Sequence, residues 1–338
     1  MTHAMNRQVR LIARPSGIPE AEHFEIAEVP VPDPAEGQVV VRNVYLAVDP
    51  AMRGWVSAVR NYSEPVALGS VMRAFAAGRV EASRHPGFQP GDWITGMFGW
   101  QDYAVVDGGS IDRKIVETDL PMSTSLGVLG TNGMTAYFGL LDVGQPKAGE
   151  TVVVSTAAGA VGSCVGQIAR IRGCRTVGIT GGQKKTELCR NEFGYDAAID
   201  YKSEDLDVAL AAACPDGVNV YFDNTAGKIS DTVIKHLAVG GRVVICGTAS
   251  VSSWEVLPEG PRVERHLLVN RARMQGFLIF DYASRYPEAL QQLSKWVRSG
   301  MMRYREEIIE GLEHAPGAIA GLYRGENLGR RLIRIASE

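Results

Sequence analysis

The stretch 152-VVVSTAAGAVGSCVGQIAR-170 decides the fold, because an apolar run leads into a glycine-containing turn and then into an apolar helix-like segment. The turn reads Ala157-x-Gly159-x-x-Gly162, with alanine where a dinucleotide-binding turn usually carries its first glycine. Such a turn lets backbone N–H groups approach a pyrophosphate at a helix N-terminus. Alanine is tolerated if its position needs no positive φ. The strand before the turn and the helix after it therefore predict a cofactor site.

Strand-like and helix-like segments alternate from about residue 131 onward. The predicted strands are continuously apolar, which is typical of a parallel sheet covered by helices on both faces. They read 151-TVVVS-155, 176-TVGIT-180, 197-AAID-200, 218-VNVYFD-223, 242-RVVICG-247 and 274-MQGFLIF-280. Helical segments such as 161–172 and 184–193 lie between them. Six such strands predict an α/β fold with a doubly wound Rossmann sheet.

The first 130 residues read differently. Short apolar runs such as 38-QVVVRNVYLAV-48, 78-GRVEA-82 and 103-YAVV-106 are separated by proline and glycine clusters, which indicates a β-barrel or sandwich. The chain closes with a strand, 331-RLIRI-335, that we expect to return to this first unit. We therefore predict one domain from residues 1–130 with 301–338 and a second from residues 131–300.

Composition excludes several classes of partner. The chain has 338 residues, 35 basic and 38 acidic, with a net charge of −3, which indicates neither a nucleic-acid nor a membrane-surface partner. No stretch approaches the ~20 apolar residues of a membrane helix, and no apolar run follows the N-terminal charges as in a signal peptide. The five cysteines form no CxxC pair. We expect a cytoplasmic protein without a disulfide framework.

The end of the second predicted strand distinguishes the two nicotinamide cofactors. NAD sites usually place an acidic residue there to bind the ribose 2′-hydroxyl. Here the stretch reads 180-TGGQKK-185, with no acid and two lysines. A lysine attracts a 2′-phosphate, whereas an acid would repel it. The sequence therefore favours NADP(H), although two lysines also begin many surface helices with no ligand.

These stretches together resemble a known family. The run 157–182 looks like the medium-chain dehydrogenase/reductase superfamily. It is most similar to the zinc-independent branch of leukotriene B4 12-hydroxydehydrogenase/prostaglandin reductases, alkenal double-bond reductases and bacterial curcumin reductases. Further matching stretches, in the family's order, are 49-DPAMRG-54, 129-LGTNGMTAYFGLL-141, 199-IDYK-202, 221-YFDNTAG-227, 245-ICGTAS-250, 303-RYREEIIEGLEHAP-316 and 325-GENLGR-330. The resemblance implies a GroES-like substrate domain, a Rossmann domain, NADPH and a homodimer.

The resemblance also implies cofactor contacts where the motifs stand. Gly159, Ala160, Val161 and Gly162 would face the pyrophosphate. Lys185 would bind the 2′-phosphate, with Tyr201 beside the adenosine ribose. The remaining implied contacts line the path to the nicotinamide or approach it from the C-terminal segment: Asn224, Cys246, Gly247, Thr248, Ala249, Ser250, Val251, Ser252, Phe277, Leu278 and Asn327.

No catalytic zinc site is expected. Zinc-dependent members of the superfamily carry an early catalytic cysteine and a His-Glu pair. The corresponding stretches here, 46-LAVDPAMRG-54 and 69-GSVMRAFAAG-78, contain neither a cysteine nor a histidine. Three-ligand zinc therefore has no evident donors. Without a metal, the reaction that fits is hydride transfer to the C=C bond of an α,β-unsaturated carbonyl, with a donor for the developing enolate and a proton for the α-carbon.

The proton donor is less well marked in the sequence. The family often has a tyrosine a few residues before the last sheet strand, but Val269 stands there. Tyr62 is the best substitute, because a tyrosine on a loop of the barrel domain can point into an apolar cleft. Asn270, His266 and the ribose 2′-hydroxyl of the cofactor are further candidates, and Tyr62 packed on its own loop is the alternative interpretation.

Several other residues near these motifs have two interpretations. Arg53 could pair with a nearby carboxylate and, with Asp49, support the wall of the cleft rather than take part in catalysis. Four aromatic residues could line an apolar pocket, although aromatics at such places are more often core: Trp55, Phe98, Trp100 and Tyr282.

The sequence thus predicts an NADPH-dependent enzyme that reduces the double bond of enones or enals. An NADPH:quinone oxidoreductase on the same scaffold is the first alternative, and a non-catalytic NADPH-binding protein is the second. The intact phosphate turn and Lys185 argue against the non-catalytic alternative. The physiological substrate is left open by the sequence.

Overall fold

The structure, a computed structural model, describes residues 4–59, 61–251 and 258–338. The strands are β1 Met5–Leu11, β2 Phe24–Pro30, β3 Gln38–Ala47, β4 Ala76–Ser83, β5 Trp93–Gly96, β6 Tyr103–Asp107, β7 Ile111–Lys114, β8 Thr151–Ser155, β9 Arg175–Thr180, β10 Ala197–Asp200, β11 Val218–Asp223, β12 Leu237–Ile245, β13 Arg273–Gly276, β14 Glu306–Glu310 and β15 Arg330–Arg334. The α-helices are α1 Met52–Val56, α2 Thr131–Phe138, α3 Ala160–Ile171, α4 Gln183–Asn191, α5 Leu206–Ala213, α6 Gly227–Lys235, α7 Glu264–Asn270, α8 Tyr286–Arg298 and α9 Ala315–Arg324.

Short helical turns connect these elements. A π-helix, Gly139–Gly144, continues α2. The 3₁₀ turns are Ala21–His23, Gly108–Ser110, Met122–Leu126, Ile279–Arg285 and Leu312–His314.

A parallel sheet of six strands forms one half of the described molecule. Its order is β10-β9-β8-β11-β12-β13, and every pairing is parallel. The direction of strand progression reverses between β8 and β11, which is the switch point of a doubly wound sheet, where ligands bind outside the carboxyl ends of the strands. The predicted α/β class with a Rossmann sheet is confirmed.

The predicted boundaries of the sheet strands are close to the observed ones, except at β12 and β13. β12 begins five residues earlier than the predicted run 242–247. β13 ends at Gly276, and the chain then turns into the 3₁₀ segment Ile279–Arg285. The apolar residues 277–280 were wrongly predicted as strand, because a short apolar run does not by itself distinguish strand from irregular chain.

Both faces of the parallel sheet are buried. Alternate residues of β8 enter different cores: Val152 and Val154 pack with α3 and α8, whereas Val153 packs with α5 and α6. Because successive strand side chains point to opposite faces, a strand covered on both sides must be continuously apolar. This explains why β8 reads TVVVS with every residue buried.

A second, mostly antiparallel sheet forms the other half. Its order is β14-β15-β3-β4-β5-β7, and β6 pairs with β3 beyond the end of β15. The hairpin β1–β2 lies beside it, and the N–H groups of Val9 and Leu11 in β1 donate to the carbonyl oxygens of Trp100 and Ser70, in the loops before β6 and β4. The core of this half contains β3 residues together with side chains from near the C-terminus, including Leu312, Ile319 and Ile333.

The C-terminal segment pairs with this second sheet. Residues 332–334 of β15 pair antiparallel with residues 45–47 of β3. The division into domains at residues 130 and 300 remains a prediction. Among residues 4–59, 61–251 and 258–338, no helix has the length and apolar character needed to cross a membrane.

A buried ion pair anchors β15 beside the junction between the two sheets. Arg330 Nη1 lies 2.5 Å from Asp49 Oδ1, and the two side chains are only 6% and 13% exposed. The same guanidinium donates to the carbonyl oxygens of Leu126 and Val48 at 2.8 and 3.0 Å. Arg330 thus joins the C-terminal strand to the loop after β3 and to the segment that leads into α2.

We expect Arg330→Met to lower the free energy of unfolding by about 3–5 kcal/mol, because it leaves a buried carboxylate and two carbonyls without their donor. Arg334→Met is the matched control, since the Arg334–Glu310 pair on the same strand is exposed and should contribute less than about 1 kcal/mol. Urea unfolding measures both. Equal losses in the two variants would show that burial does not distinguish the pairs.

Candidate functional site

The turn after β8 accommodates alanine because its unusual backbone conformation lies one residue earlier. Thr156 has a φ of 54°, whereas Ala157 is not among the residues with positive φ. The Cβ of Ala157 is fully buried and faces Gly178 of β9, where an added Cβ would lie 2.7 Å from it. Alanine therefore fits the position that usually carries glycine, and its methyl group fills space against the neighbouring strand.

The two glycines of the turn are required by close packing. A Cβ on Gly162 would lie 2.3 Å from the carbonyl oxygen of Thr156, and one on Gly159 would lie 2.9 Å from the Thr156 methyl group. Gly159 is the N-cap of α3, and Ala160, Val161 and Gly162 form its first turn. The N–H groups at this helix start suit a pyrophosphate. The geometry is thus that of a dinucleotide cradle.

The C-terminal segment reaches this cradle. The N–H of Gly329 donates to the carbonyl oxygen of Ala158 at 3.1 Å, and Gly329 forms a parallel bridge with Gly159. Asn327 donates from Nδ2 to the carbonyl oxygen of Gly329 at 2.9 Å. The structure therefore brings Asn327 to the loop beside the predicted pyrophosphate position, although its amide also has a role within its own turn.

Lys185 lies in the first turn of α4, where the chain leaves β9. The helix has no acidic residue in that turn, and the helix dipole disfavours a cation there. Burial lowers the pKa of Lys185, and the charge of Lys202 lowers it further. Its Nζ lies 3.7 Å from the position of a Cβ on Gly325, so the C-terminal segment passes close to it. The charge of Glu307 acts in the opposite direction but does not restore the ordinary pKa, so Lys185 lies where an isolated cation is unfavourable.

Tyr201 and Lys202 lie beside the same turn. A Cβ on Gly181 would lie 3.0 Å from Cε1 of Tyr201 and 2.8 Å from Cε of Lys202. The Tyr201 side chain is 42% exposed, as a ring available for stacking would be. Lys202 was not among the predicted contacts. Its only signal in the sequence was its place after Tyr201 in 199-IDYK-202.

Asn224 joins the carboxyl ends of β8 and β11 at the switch point. Its Nδ2 donates to the carbonyl oxygen of Ser155 at 2.7 Å, and its N–H donates to Ser155 Oγ at 2.9 Å. Asp223, just before it, is buried and accepts hydrogen bonds from the N–H groups of Thr225 and Ala226. These bonds hold Ala226 at φ 59° and ψ −165°, a region that normally requires glycine.

The run after β12 packs against this switch-point loop. The N–H groups of Cys246 and Gly247 donate to the carbonyl oxygen of Asp223, and Ala249 and Ser250 donate to Asn224 and Thr225. Thr248 and Val251 complete the turn through a backbone bond of 3.0 Å. Ser252, also predicted here, lies outside the described residues.

Cys246 is half-buried at the end of β12. Burial raises the pKa of its thiol to about 12, with the charge of Asp223 acting in the same direction. The thiol is therefore protonated at neutral pH and is a poor nucleophile.

Phe277 and Leu278 follow β13 but face different surroundings. Phe277 packs into the core against Phe222 and Tyr282, with ring centroids 6.4 and 6.3 Å apart. Leu278 is 37% exposed. Leu278 is thus the better placed of the two to contact a ligand through its side chain.

Tyr62 faces the parallel-sheet half from a loop of the antiparallel half. Its ring centroid lies 6.3 Å from that of Phe280, and the two side chains are 46% and 43% exposed. Burial of the hydroxyl raises the pKa of Tyr62, opposed by the nearby Trp55 indole. Trp55 is buried, and its Nε1 has no hydrogen-bond partner among the described residues. Phe280 was not predicted, because it lay inside the wrongly predicted strand.

Among the described residues no carboxylate pairs with Arg53, so the ion pair that the sequence offered as one possibility is not observed there. Asp49 pairs with Arg330 instead. Arg53 is 5% exposed, lies 4.4 Å above the ring of Tyr323, and donates to the Thr248 carbonyl oxygen at 3.3 Å. Its Nε and Nη1 have no partner in the described part of the chain. A buried guanidinium with free donors beside the run 246–251 is a polar contact point that the sequence did not indicate.

The other predicted aromatic residues belong mainly to cores. Trp100 and Phe98 are buried in the barrel core, and Trp100 donates from its indole to the carbonyl oxygen of Ala47. Tyr282 stacks on Phe138 with a centroid distance of 4.8 Å. Trp100 and Phe98 are therefore core residues, the interpretation that the sequence favoured over a pocket role.

Two of the alternative proton donors lie on the surface helix α7. His266 and Asn270 are both half-buried there. Val269, at the position of the family tyrosine, is 55% exposed.

These residues fit NADPH on three observations. A Cβ on Gly159 or Gly162 would lie too close to Thr156, so the turn keeps its backbone open at the start of α3. Lys185 lies at the turn after β9, and Nε and Nη1 of Arg53 are buried without a partner among the described residues. Across the described ranges, no three His, Cys, Asp or Glu side chains come together as a possible metal site.

Comparisons with known proteins agree with this geometry. Residues 7–113 match a family model described as the N-terminal domain of oxidoreductase, and residues 160–295 match one described as zinc-binding dehydrogenase. The chain is 43% identical to the NADPH-dependent curcumin reductase of Escherichia coli, over 98% of each chain. It is 40% identical to the NADP(+)-dependent 2-alkenal reductase of Nicotiana tabacum, again over 98% of each.

A solved structure is also closely similar. CurA of Vibrio vulnificus in complex with NADPH is 43% identical, with a TM-score of 0.93 over 98% of this chain and 100% of that one.

We expect Ala157→Gly, which restores the usual first glycine, to leave NADPH binding unchanged within about twofold. The position needs no positive φ, so glycine adds no favourable conformation, while loss of the buried methyl group lowers stability by about 1 kcal/mol. Fluorescence titration and thermal unfolding measure the two effects. A marked gain in affinity would contradict the placement of the strained residue at Thr156.

Proposed function

The chain belongs to the zinc-independent reductases of the medium-chain dehydrogenase/reductase superfamily, and from this membership we propose that it reduces the C=C bond of α,β-unsaturated carbonyls with NADPH. It is an NADP-dependent oxidoreductase acting on CH–CH bonds, like the curcumin and alkenal reductases that it resembles over nearly its full length. One observation carries the proposal. The glycine turn after β8 lies beside a second turn, after β9, that is followed by Lys184 and Lys185 and has no acidic residue.

The chain's own residues would bind and orient the reactants. Residues 159–162 would receive the pyrophosphate, Lys185 and Tyr201 the adenosine end, and Asn224 with residues 246–252 the path to the nicotinamide. Leu278, Phe277 and Asn327 would complete the site. NADPH, when bound, supplies the hydride for the β-carbon of the substrate.

The substrate would lie between the two sheets, where Tyr62 and Phe280 face each other. Two half-exposed aromatic rings from opposite halves suit a flat conjugated molecule. The carbonyl oxygen gains negative charge as the β-carbon is reduced, and an O–H or N–H donor stabilises that charge. Tyr62 offers a hydroxyl that is protonated at neutral pH, because the ordinary pKa of tyrosine already lies well above 7 and burial raises the pKa of Tyr62 further.

The acceptor decides between the proposed function and its alternatives. Purified protein is mixed with NADPH and an enone, a quinone or no acceptor, and loss of nicotinamide absorbance is followed. We expect rapid oxidation with the enone and a saturated ketone as product. Oxidation with the quinone alone would favour a quinone oxidoreductase, and no oxidation with any acceptor would leave a non-catalytic NADPH-binding protein.

We expect Tyr62→Phe to lower kcat by about 10²-fold, the lower range for loss of a positioned proton donor, with a smaller change in the KM for NADPH. Phe280→Leu is the matched control, since it alters the facing ring but removes no donor. Steady-state kinetics between pH 6 and 9 measure both. An unchanged kcat for Tyr62→Phe would assign the proton to His266, Asn270 or the cofactor ribose.

A homodimer and a cytoplasmic location complete the proposal. β13 is the edge strand of the parallel sheet, and Leu268 and Val269 on the preceding helix are 78% and 55% exposed. An open edge beside exposed apolar side chains suits pairing with a second copy. A monomeric mass in sedimentation analysis would contradict the dimer. The cytoplasmic location is supported by the five free cysteines, because reducing compartments keep thiols from forming disulfides.

A further inference from the structure

We propose that Lys202 is a second determinant of NADPH specificity, binding the 2′-phosphate from the side of the turn opposite Lys185. The inference rests on the proposed function and deepens it. The turn in question is 180–183, between β9 and α4, and the two lysines come from different segments of the sheet edge.

The position of the Lys202 side chain is the first observation. A Cβ on Gly181 would lie 2.8 Å from its Cε and 3.2 Å from its Cδ, so the aliphatic chain lies across the backbone of the turn. Gly181 does not have a positive φ, so its backbone conformation does not require glycine. Glycine is needed here because a Cβ would collide with the Lys202 side chain. The turn is thus shaped to admit the end of the Lys202 side chain.

The second observation is the lack of a charge partner. Among the described residues, the lysine that comes within 4.0 Å of a carboxylate is Lys114, not Lys185 or Lys202. Asp200 is only two residues from Lys202, but its oxygens accept from the N–H groups of Gly182 and Lys202 and from the Ser203 hydroxyl. The carboxylate at this sheet edge therefore holds the backbone in place.

The third observation is the energetic cost of this arrangement. The two ammonium groups repel each other, as the lowered pKa of Lys185 reflects after burial, and both lie near the positive end of α4. The charge of Glu307 offsets this repulsion only in part, since the pKa of Lys185 remains lowered. A dianionic phosphate between the two lysines would cancel the repulsion between them, whereas the neutral 2′-hydroxyl of NADH would not.

Binding of two small probes tests the inference without any catalysis. Adenosine 2′,5′-bisphosphate and 5′-AMP are titrated calorimetrically into the full-length protein and its variants. Lys202→Met keeps the aliphatic chain over Gly181 and removes the charge. We expect it to weaken the bisphosphate about tenfold, as for loss of one charge-assisted contact, and 5′-AMP less than twofold.

Four further variants separate charge from structure. Lys202→Arg restores a cation and should recover most of the affinity for the bisphosphate. Lys184→Ala removes an exposed cation beside Lys185 in the first turn of α4. It is the matched control and should change the binding of neither ligand. Lys185→Ala should weaken the bisphosphate selectively, and adding Lys202→Met should weaken it further.

The outcomes distinguish this inference from the proposed function. Normal bisphosphate binding in Lys202→Met, or equal weakening of both probes, would overturn the role of Lys202 even if the protein reduces enones. Selective weakening would uphold that role even if no acceptor is reduced. Gly181→Ala offers a second route, since its methyl group displaces the Lys202 chain, and it should also weaken the bisphosphate more than 5′-AMP.

Discussion

The buried ion pair between Arg330 and Asp49 is the contact on which the arrangement of the site depends. It fixes the start of β15 against the loop after β3, while Gly329, one residue earlier, bonds to the phosphate turn at Ala158. Two consecutive residues thus hold the C-terminal segment to both sheets. Because desolvation offsets much of the Coulomb attraction of a buried pair, we infer that its main effect is to specify this one arrangement.

The two sheets contribute different chemistry to the region between them. The parallel sheet supplies backbone donors, two lysines and the loops at its carboxyl edge. The antiparallel half supplies Tyr62 and Arg53, and the Arg53 guanidinium bonds to Thr248 on the other side. In the described part of the chain this buried cation has no carboxylate partner, an arrangement that is unfavourable in an isolated fold and becomes favourable beside a polar ligand. Strained or unpaired groups of this kind are often found at ligand-binding sites.

Much of this architecture could be predicted because periodicity and turn chemistry are local. Continuous apolar runs identified the strands of the parallel sheet, and the turn at 157–162 placed the cradle. Residues 277–280 were wrongly predicted as strand. Their apolar side chains have other roles, since Phe277 packs against the core and Phe280 is exposed beside Tyr62. The sequence also did not indicate that Asp49 pairs with Arg330, a partner 281 residues away along the chain.

The sequence by itself determined the fold class, the nucleotide turn and the preference for a 2′-phosphate, since each depends on residues close together along the chain. Only the tertiary structure decided that Thr156, and not Ala157, carries the positive φ, that Lys202 joins Lys185 at one turn, and that Tyr62 faces Phe280. These facts depend on which strand edges and loops meet after folding. Such contacts come from the packing of distant segments, for which a single sequence contains no local signal.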